Sequence, residues 1–203
     1  MSILRIRLKK TLPALLTILI LSFVTAGPGA ADELSKFDRQ ALKDAVDCRG
    51  QIIDQFELLL TSGQLSIAQL FDTFYIPIPN TNPQKFHTQY DQKLDGILRP
   101  ILDSCLARSK RYIFVVAVDR NGYLPTHNTK YSQPLTGDPD VDTKRNRTKR
   151  IFNDRTGLAA ARNIRPHLVQ HYSRDTGEVM TDLSVPIMIR GRHWGALRIG
   201  YKK

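Results

Sequence analysis

Residues 174–201, RDTGEVMTDLSVPIMIRGRHWGALRIGY, constrain the fold of this 203-residue chain more than any other stretch. An Asp-Thr-Gly turn leads into apolar-rich residues 178–189, and a tight Arg190-Gly191-Arg192 connection returns the chain through 193–201. Two long antiparallel strands are predicted, on which the rest of the chain must pair or pack. Strict alternation on the second strand sends Leu197, Ile199 and Tyr201 to one face and Trp194, Ala196 and Arg198 to the other. One face then belongs to the core and the other can meet a ligand. Pro186 lacks a ladder donor, which places it at a bulge or where its backbone nitrogen faces away from the partner strand.

The opening of the chain bears on compartment. Arg5, Arg7, Lys9 and Lys10 precede an apolar run at 12–24, followed by small residues at 25–31 and then Asp32 and Glu33. This order is that of a secretory signal over 1–31, with cleavage after Ala26 or Ala31 both compatible with the small-residue rule. An uncleaved anchor is the alternative, although the run is shorter than the ~20 residues a spanning helix needs. Either reading exports the domain, to the periplasm if the source is bacterial. Thirty basic against 19 acidic residues give a charge of +11, and +7 remains without the first ten positions. Such a balance attracts nucleic acid, anionic lipid or small anions alike. Export, and the lack of a stacking or zinc motif, argue against nucleic acid.

Residues 32–108 read as a helical region. Leu34, Phe37, Ala41, Ala45, Cys48, Ile52, Phe56 and Leu59 recur at helical spacing, and Gly63 is a natural stop. Ser66 and Gln69 have the spacing of a capping box. The proline-rich loop YIPIPNTNP then ends at Asn82-Pro83, a cap and first-turn pair that predicts a second long helix. Its stripe would be Phe86, Tyr90, Leu94, Ile97, Ile101 and Cys105, with a kink or break at Pro100. Cys48 and Cys105 fall on the apolar faces of the two helices, where a disulfide and two buried free thiols both remain open.

The sheet region, 109–203, begins with YIFVVAVD at 112–119, apolar on both faces as a central strand should be. Asn121-Gly122 predicts a hairpin in which 123–128 returns beside it. Between it and the next strand, 168–173, lies a crossover too long for an idle loop. Residues 129–166 hold nine basic residues against four aspartates. One or two helical turns over 146–152 would put Arg147 and Arg150 on one face. Guanidinium forks suit carboxylate or phosphate, because two parallel N–H bonds can reach one planar anion. A solvated basic loop is the plainer reading of the same residues.

The strings FVVAVDRNGYLPTHN, NRTKRIFNDRTGLAAARN and HYSRDTGEVMTDLSVPI with GRHWGALRIGY closely resemble the Cache or PAS-like sensory region of bacterial methyl-accepting chemotaxis proteins, over about residues 65–201. The resemblance implies an α+β fold with long N-terminal helices, a five-stranded antiparallel sheet, and a pocket between sheet and crossover for a small organic anion or amino acid. The pocket side chains implied by position are His127, Tyr131, Arg147, Arg150, Arg155, Tyr172, Asp182 and Trp194. The methylated coiled coil of a transducer is missing, so either signalling would pass through another protein, such as a membrane-bound partner, or the domain only binds; a homodimer is expected through the N-terminal helix.

Nothing in the sequence marks an enzyme. His167 and His171 have metal-binding spacing on a helix, but on a strand they stand ~13 Å apart. No Cys-x-x-Cys-His, Gly-x-Ser-x-Gly or phosphate-loop motif occurs. No cofactor is expected. The rival readings are a non-covalent haem or metal protein centred on His127, and an accessory subunit whose basic face meets anionic lipid.

Overall fold

A computed structural model of the protein describes residues 34–173, 177 and 179–202. The signal-like segment 1–31 and most of the Asp-Thr-Gly turn lie outside the described residues. Helix α1 (Lys36–Thr61) opens with a reciprocal cap in which the Ser35 hydroxyl accepts from the Asp38 N–H and the Asp38 carboxylate accepts from the Ser35 N–H. Its buried stripe includes Ala41, Ala45, Cys48, Ile52, Phe56 and Leu59, as the periodicity requires. Gly63, at φ +71°, ends it. Ser66 and Gln69 cap the short helix α2 (Ile67–Leu70) in the same reciprocal way.

The next segment departs from expectation. Ile76–Pro77 (β1) pairs with Phe86–His87 (β2), so the proline-rich loop contributes a short ladder, and Asn82-Pro83 lies in the turn between the two rather than at a helix start. The backbone there is already engaged: Ile78 N–H bonds the Lys85 carbonyl and Phe86 N–H bonds the Lys149 carbonyl. Helix α3 starts later, at Asp91, and continues to Leu106 through Pro100 without a break. Its most buried residues include Leu94, Leu98, Leu102 and Cys105, while Ile97 and Ile101 lie at the edge of the stripe. Cys48 and Cys105 form a disulfide that joins α1 to α3.

The sheet consists of β3 (Tyr112–Asp119), β6 (Leu168–Ser173), β7 (Val179–Ile189) and β8 (Arg192–Tyr201), in the antiparallel order β3-β8-β7-β6. A long N-terminal helix against such a sheet is an α+β arrangement, as expected from the sequence. Among the described residues the main sheet has four strands rather than five. β4 (Tyr123–Leu124) does not return along β3; it pairs with β5 (Arg150–Ile151) in the crossover. The physical reason is a partner distant in sequence. Gly122 is held at φ +82°, its carbonyl accepts from Phe152 N–H, and a Cβ added there would lie 2.3 Å from the Phe152 oxygen. β3 is thus an edge strand of this sheet, apolar on both faces because helices cover one side and the crossover covers the other.

The C-terminal ribbon turns at Arg190-Gly191, both at positive φ, as expected. Pro186 lies two residues beyond the last β6–β7 pair, Leu168 with Ser184, and next to a bulge. Ile187 pairs with Gly195 and Met188 with His193, which leaves Trp194 as the extra residue. The bulge overrides strict alternation and puts Trp194 among the helices with Leu197, Ile199 and Tyr201. There its ring meets Phe56 edge-on at 4.9 Å, and its Nε1–H donates to the Leu70 carbonyl at 2.9 Å. Helices and sheet share this one core. No helix among the described residues is long and apolar enough to cross a membrane.

Candidate functional site

The face of the sheet away from α1 and α3 carries a second, smaller cluster that includes Phe114, Val116 and Val118 of β3, Ala196 of β8 and Leu124 of β4. The crossover arches over this face, and between the two lies a cavity of about 360 Å³, within the range of small-molecule sites. Alternation on β3 supplies the apolar lining of Phe114, Val116 and Val118, while Val115 and Ala117 point into the helical core. Phe114 can lie over β8 because residue 200 is glycine; a Cβ there would come within 2.3 Å of the ring.

The crossover supplies part of the polar lining, Arg147, Asp154 and Thr156, and the rest comes from His127, Tyr172, Ser173 and Arg198. After α4 (Pro139–Arg145) the chain does not form helical turns over 146–152. Arg147 N–H bonds the Tyr131 carbonyl, Lys149 adopts φ +58° and bonds the Leu124 carbonyl, and β5 follows. Extended backbone therefore delivers Arg147 to the cavity wall. Arg147 is buried, donates from Nη1 to the Thr143 carbonyl at 3.2 Å and stands 5.0 Å from the Phe152 ring centroid. Arg150 reaches the same carbonyl and the same ring from outside the lining, at 3.3 and 5.0 Å. The two arginines are neighbours, as expected, although no helix brings them together.

Of the other residues implied by the resemblance, His127 and Tyr172 line the cavity. His127 is buried; its Nδ1 accepts from the Asn128 N–H at 2.7 Å, which assigns the ring proton to Nε2. Tyr131 stands behind it, edge-on at 4.7 Å. Arg155 is not brought to the site: it is exposed at the start of α5 (Arg155–Ala161). Trp194 lies on the opposite face of the sheet, because the bulge reverses its side. Asp182 lies beneath the lining, where its Oδ2 accepts both Nε and Nη2 of Arg198 at 3.0 and 2.7 Å. Burial pushes the Asp182 carboxyl up despite the pull of Arg198; burial also opposes the Arg198 charge, but Asp182 together with Tyr172 and Asp154 outweighs it.

Sequence reasoning missed Arg198, Asp154, Thr156, Ser173 and the three β3 side chains as cavity residues. Alternation carried a signal for Arg198 and the β3 residues. Asp154 announces itself only as the N-cap of α5, where it accepts from the Gly157 N–H at 2.9 Å. Also missed is Lys85, buried outside the cavity with its amine on Asn146 Oδ1 at 2.6 Å and on the Thr148 carbonyl at 2.7 Å. Burial, reinforced by the charge of Arg150, holds that amine down to about 8. Among the described residues no group of three or more His, Cys, Asp or Glu could hold a metal ion.

No family model and no curated protein sequence matches the chain. Among solved structures it is similar to an extracellular ligand binding receptor from Desulfohalobium retbaense, with TM-score 0.39 and 11% identity over 76% of this chain and 24% of that one. It is similar to a domain of a sensory box/GGDEF family protein from Vibrio parahaemolyticus, with TM-score 0.35 and 15% identity over 80% and 59% of the two chains. The extracellular domain of the histidine kinase vpHK1S-Z8 also matches, with TM-score 0.35 and 15% identity over 80% and 56%. The chain spans less than two thirds of each of these proteins, and at this distance the likeness assigns no ligand, partner or activity.

Proposed function

We propose that this protein is an exported sensor module that binds a small organic anion between its sheet and its crossover and passes the bound state to a membrane-bound partner. The observation that carries the reading is the cavity itself: apolar on the β3 side, with the guanidinium of Arg147 held in its wall by the Thr143 carbonyl and the Phe152 ring. A planar fork already ordered in a partly apolar enclosure suits a carboxylate on a compact carbon skeleton, since the acid meets two parallel donors and the skeleton meets Val116, Val118 and Leu124. The site binds without chemistry: the reading uses no nucleophile and no proton transfer. Pairing of two copies through α1 belongs to the same proposal.

The test is a thermal-shift screen of carboxylates, amino acids and phosphorylated metabolites against the wild type, Arg147→Lys, which keeps the charge but loses the fork, and Arg155→Ala, which lies outside the cavity. Ligand at ~100 times Kd adds about 2.7 kcal/mol, a shift of several degrees. The expected result is a carboxylate that stabilises wild type and Arg155→Ala alike and loses most of its effect in Arg147→Lys. An equal response in all three removes Arg147 from the site, and silence across the panel removes the anion reading.

A further inference from the structure

We infer that a second anion site lies at the end of the sheet remote from the described termini, where Arg120, Arg162 and Arg192 converge on a depression suited to a phosphate group, free or borne on a lipid. The three arginines come from separate parts of the chain: the end of β3, the C-terminal cap of α5 and the start of β8. With Asn121, His193 and Phe71 they line one surface depression of about 450 Å³. Tyr112 pairs with Tyr201 at the other end of the sheet, so the depression stands roughly 25 Å along the strands from there, at ~3.3 Å per residue. It is a separate place from the cavity, with no lining residue in common.

Three features distinguish it from a solvated basic surface. No carboxylate lines it among the described residues. The acids at hand are engaged elsewhere: Asp119 accepts from the hydroxyls of Tyr75 and Tyr90 at 2.6 and 2.9 Å, and Glu57 pairs with Arg190 at 3.1 Å. Two of the guanidiniums are also held in place before any ligand arrives. Arg192 lies over the Phe71 ring at 4.1 Å, and Arg162 Nε donates to the Arg120 carbonyl at 3.4 Å. Three like charges side by side repel, and a dianion between them relieves that repulsion while accepting from each fork. A carboxylate offers two oxygens to three guanidiniums; a phosphate offers three or four, which is why the site is assigned to phosphate.

All three arginines are exposed, so their replacement leaves the core untouched. Inorganic phosphate is titrated calorimetrically into the full chain, and phosphatidylcholine vesicles doped with phosphatidic acid are tested by co-sedimentation, for wild type, Arg162→Ala, Arg192→Ala and Arg147→Lys. The expected result is phosphate binding weakened about tenfold or more in Arg162→Ala and in Arg192→Ala, as for loss of one charge-assisted contact, and unchanged in Arg147→Lys. Vesicle binding that both substitutions abolish, with no response to inorganic phosphate, also supports the site and identifies the lipid-borne group as its ligand. Binding lost only in Arg147→Lys moves the anion to the cavity and overturns this inference while leaving the proposed function standing. No binding in either arm, or binding indifferent to Arg162 and Arg192, overturns it as well.

Discussion

The Asp182–Arg198 pair should behave as a unit whose halves cannot be removed one at a time. Asp182 is fully buried and Arg198 is 6% exposed, and both guanidinium bonds land on the same carboxylate oxygen. Asp182→Ala leaves the guanidinium uncompensated in the cavity lining, and Arg198→Ala leaves the carboxyl sealed beneath that lining. Each is expected to cost about 3–5 kcal/mol, the usual consequence of stranding one partner of a buried pair. Asp182 is already pushed toward its neutral form by burial, so protonation relieves part of the strain in Arg198→Ala, and Asp182→Ala is the more damaging of the two. Replacing both, as Asp182→Leu with Arg198→Met, removes the charges together and should return stability to within about 1 kcal/mol of wild type or above it. Urea unfolding of wild type, Asp182→Leu, Arg198→Met and the double replacement at neutral pH gives the coupling energy directly from the double-mutant cycle. Single losses below about 1 kcal/mol, or a double loss equal to the sum of the two, would refute the view of this pair as one desolvated unit.

Two further outcomes follow from the scaffold. The Cys48–Cys105 bridge spans a sequence separation of 57, and Cys48→Ala with Cys105→Ala should cost about 4 kcal/mol by loop entropy, with a rise in the urea m-value as the unfolded chain expands; a loss under about 1 kcal/mol would mean that α1 and α3 are held by packing alone. Burial raises the Asp91 carboxyl, but its bonds to Lys149 at 2.6 Å and His87 at 2.8 Å more than offset this and hold it below the usual carboxylate value. A carboxyl depressed in the folded state contributes stability above the unfolded value near ~4 and loses it as pH falls through the folded one. Asp91→Asn should therefore flatten the acid limb of the stability profile, and an unchanged limb would remove Asp91 from the account.

The sequence was most legible where one periodicity ran without interruption. Ala41 to Leu59 followed a helical stripe and became α1; the apolar-rich run 178–189 and the tight connection at Arg190-Gly191 became the ribbon. Legibility failed where a local signal competed with a distant partner. Asn82-Pro83 has the form of a helix start, but the neighbouring backbone is taken up by β1, β2 and the Lys149 carbonyl. Asn121-Gly122 has the form of a two-residue hairpin, but Phe152, thirty positions away, claims the Gly122 carbonyl. The cavity residues divide in the same way. His127, Arg147 and Tyr172 were found from position in a resembling pattern, and Trp194 was lost to a one-residue bulge that alternation cannot foresee.

Lys85 has a consequence for affinity that reaches beyond its own bonds. Its amine fastens Asn146 and Thr148, the residues on either side of Arg147, from a segment more than sixty positions earlier in the chain. The wall of the cavity is therefore ordered during folding, and a ligand arriving later need not immobilise a free loop, a step that otherwise consumes about 0.5–1.5 kcal/mol for each rotamer-rich side chain. Affinity in such a site is set partly by a residue that no ligand touches. Under the proposed function, replacing Lys85 would change affinity severalfold while every cavity-lining side chain stayed the same.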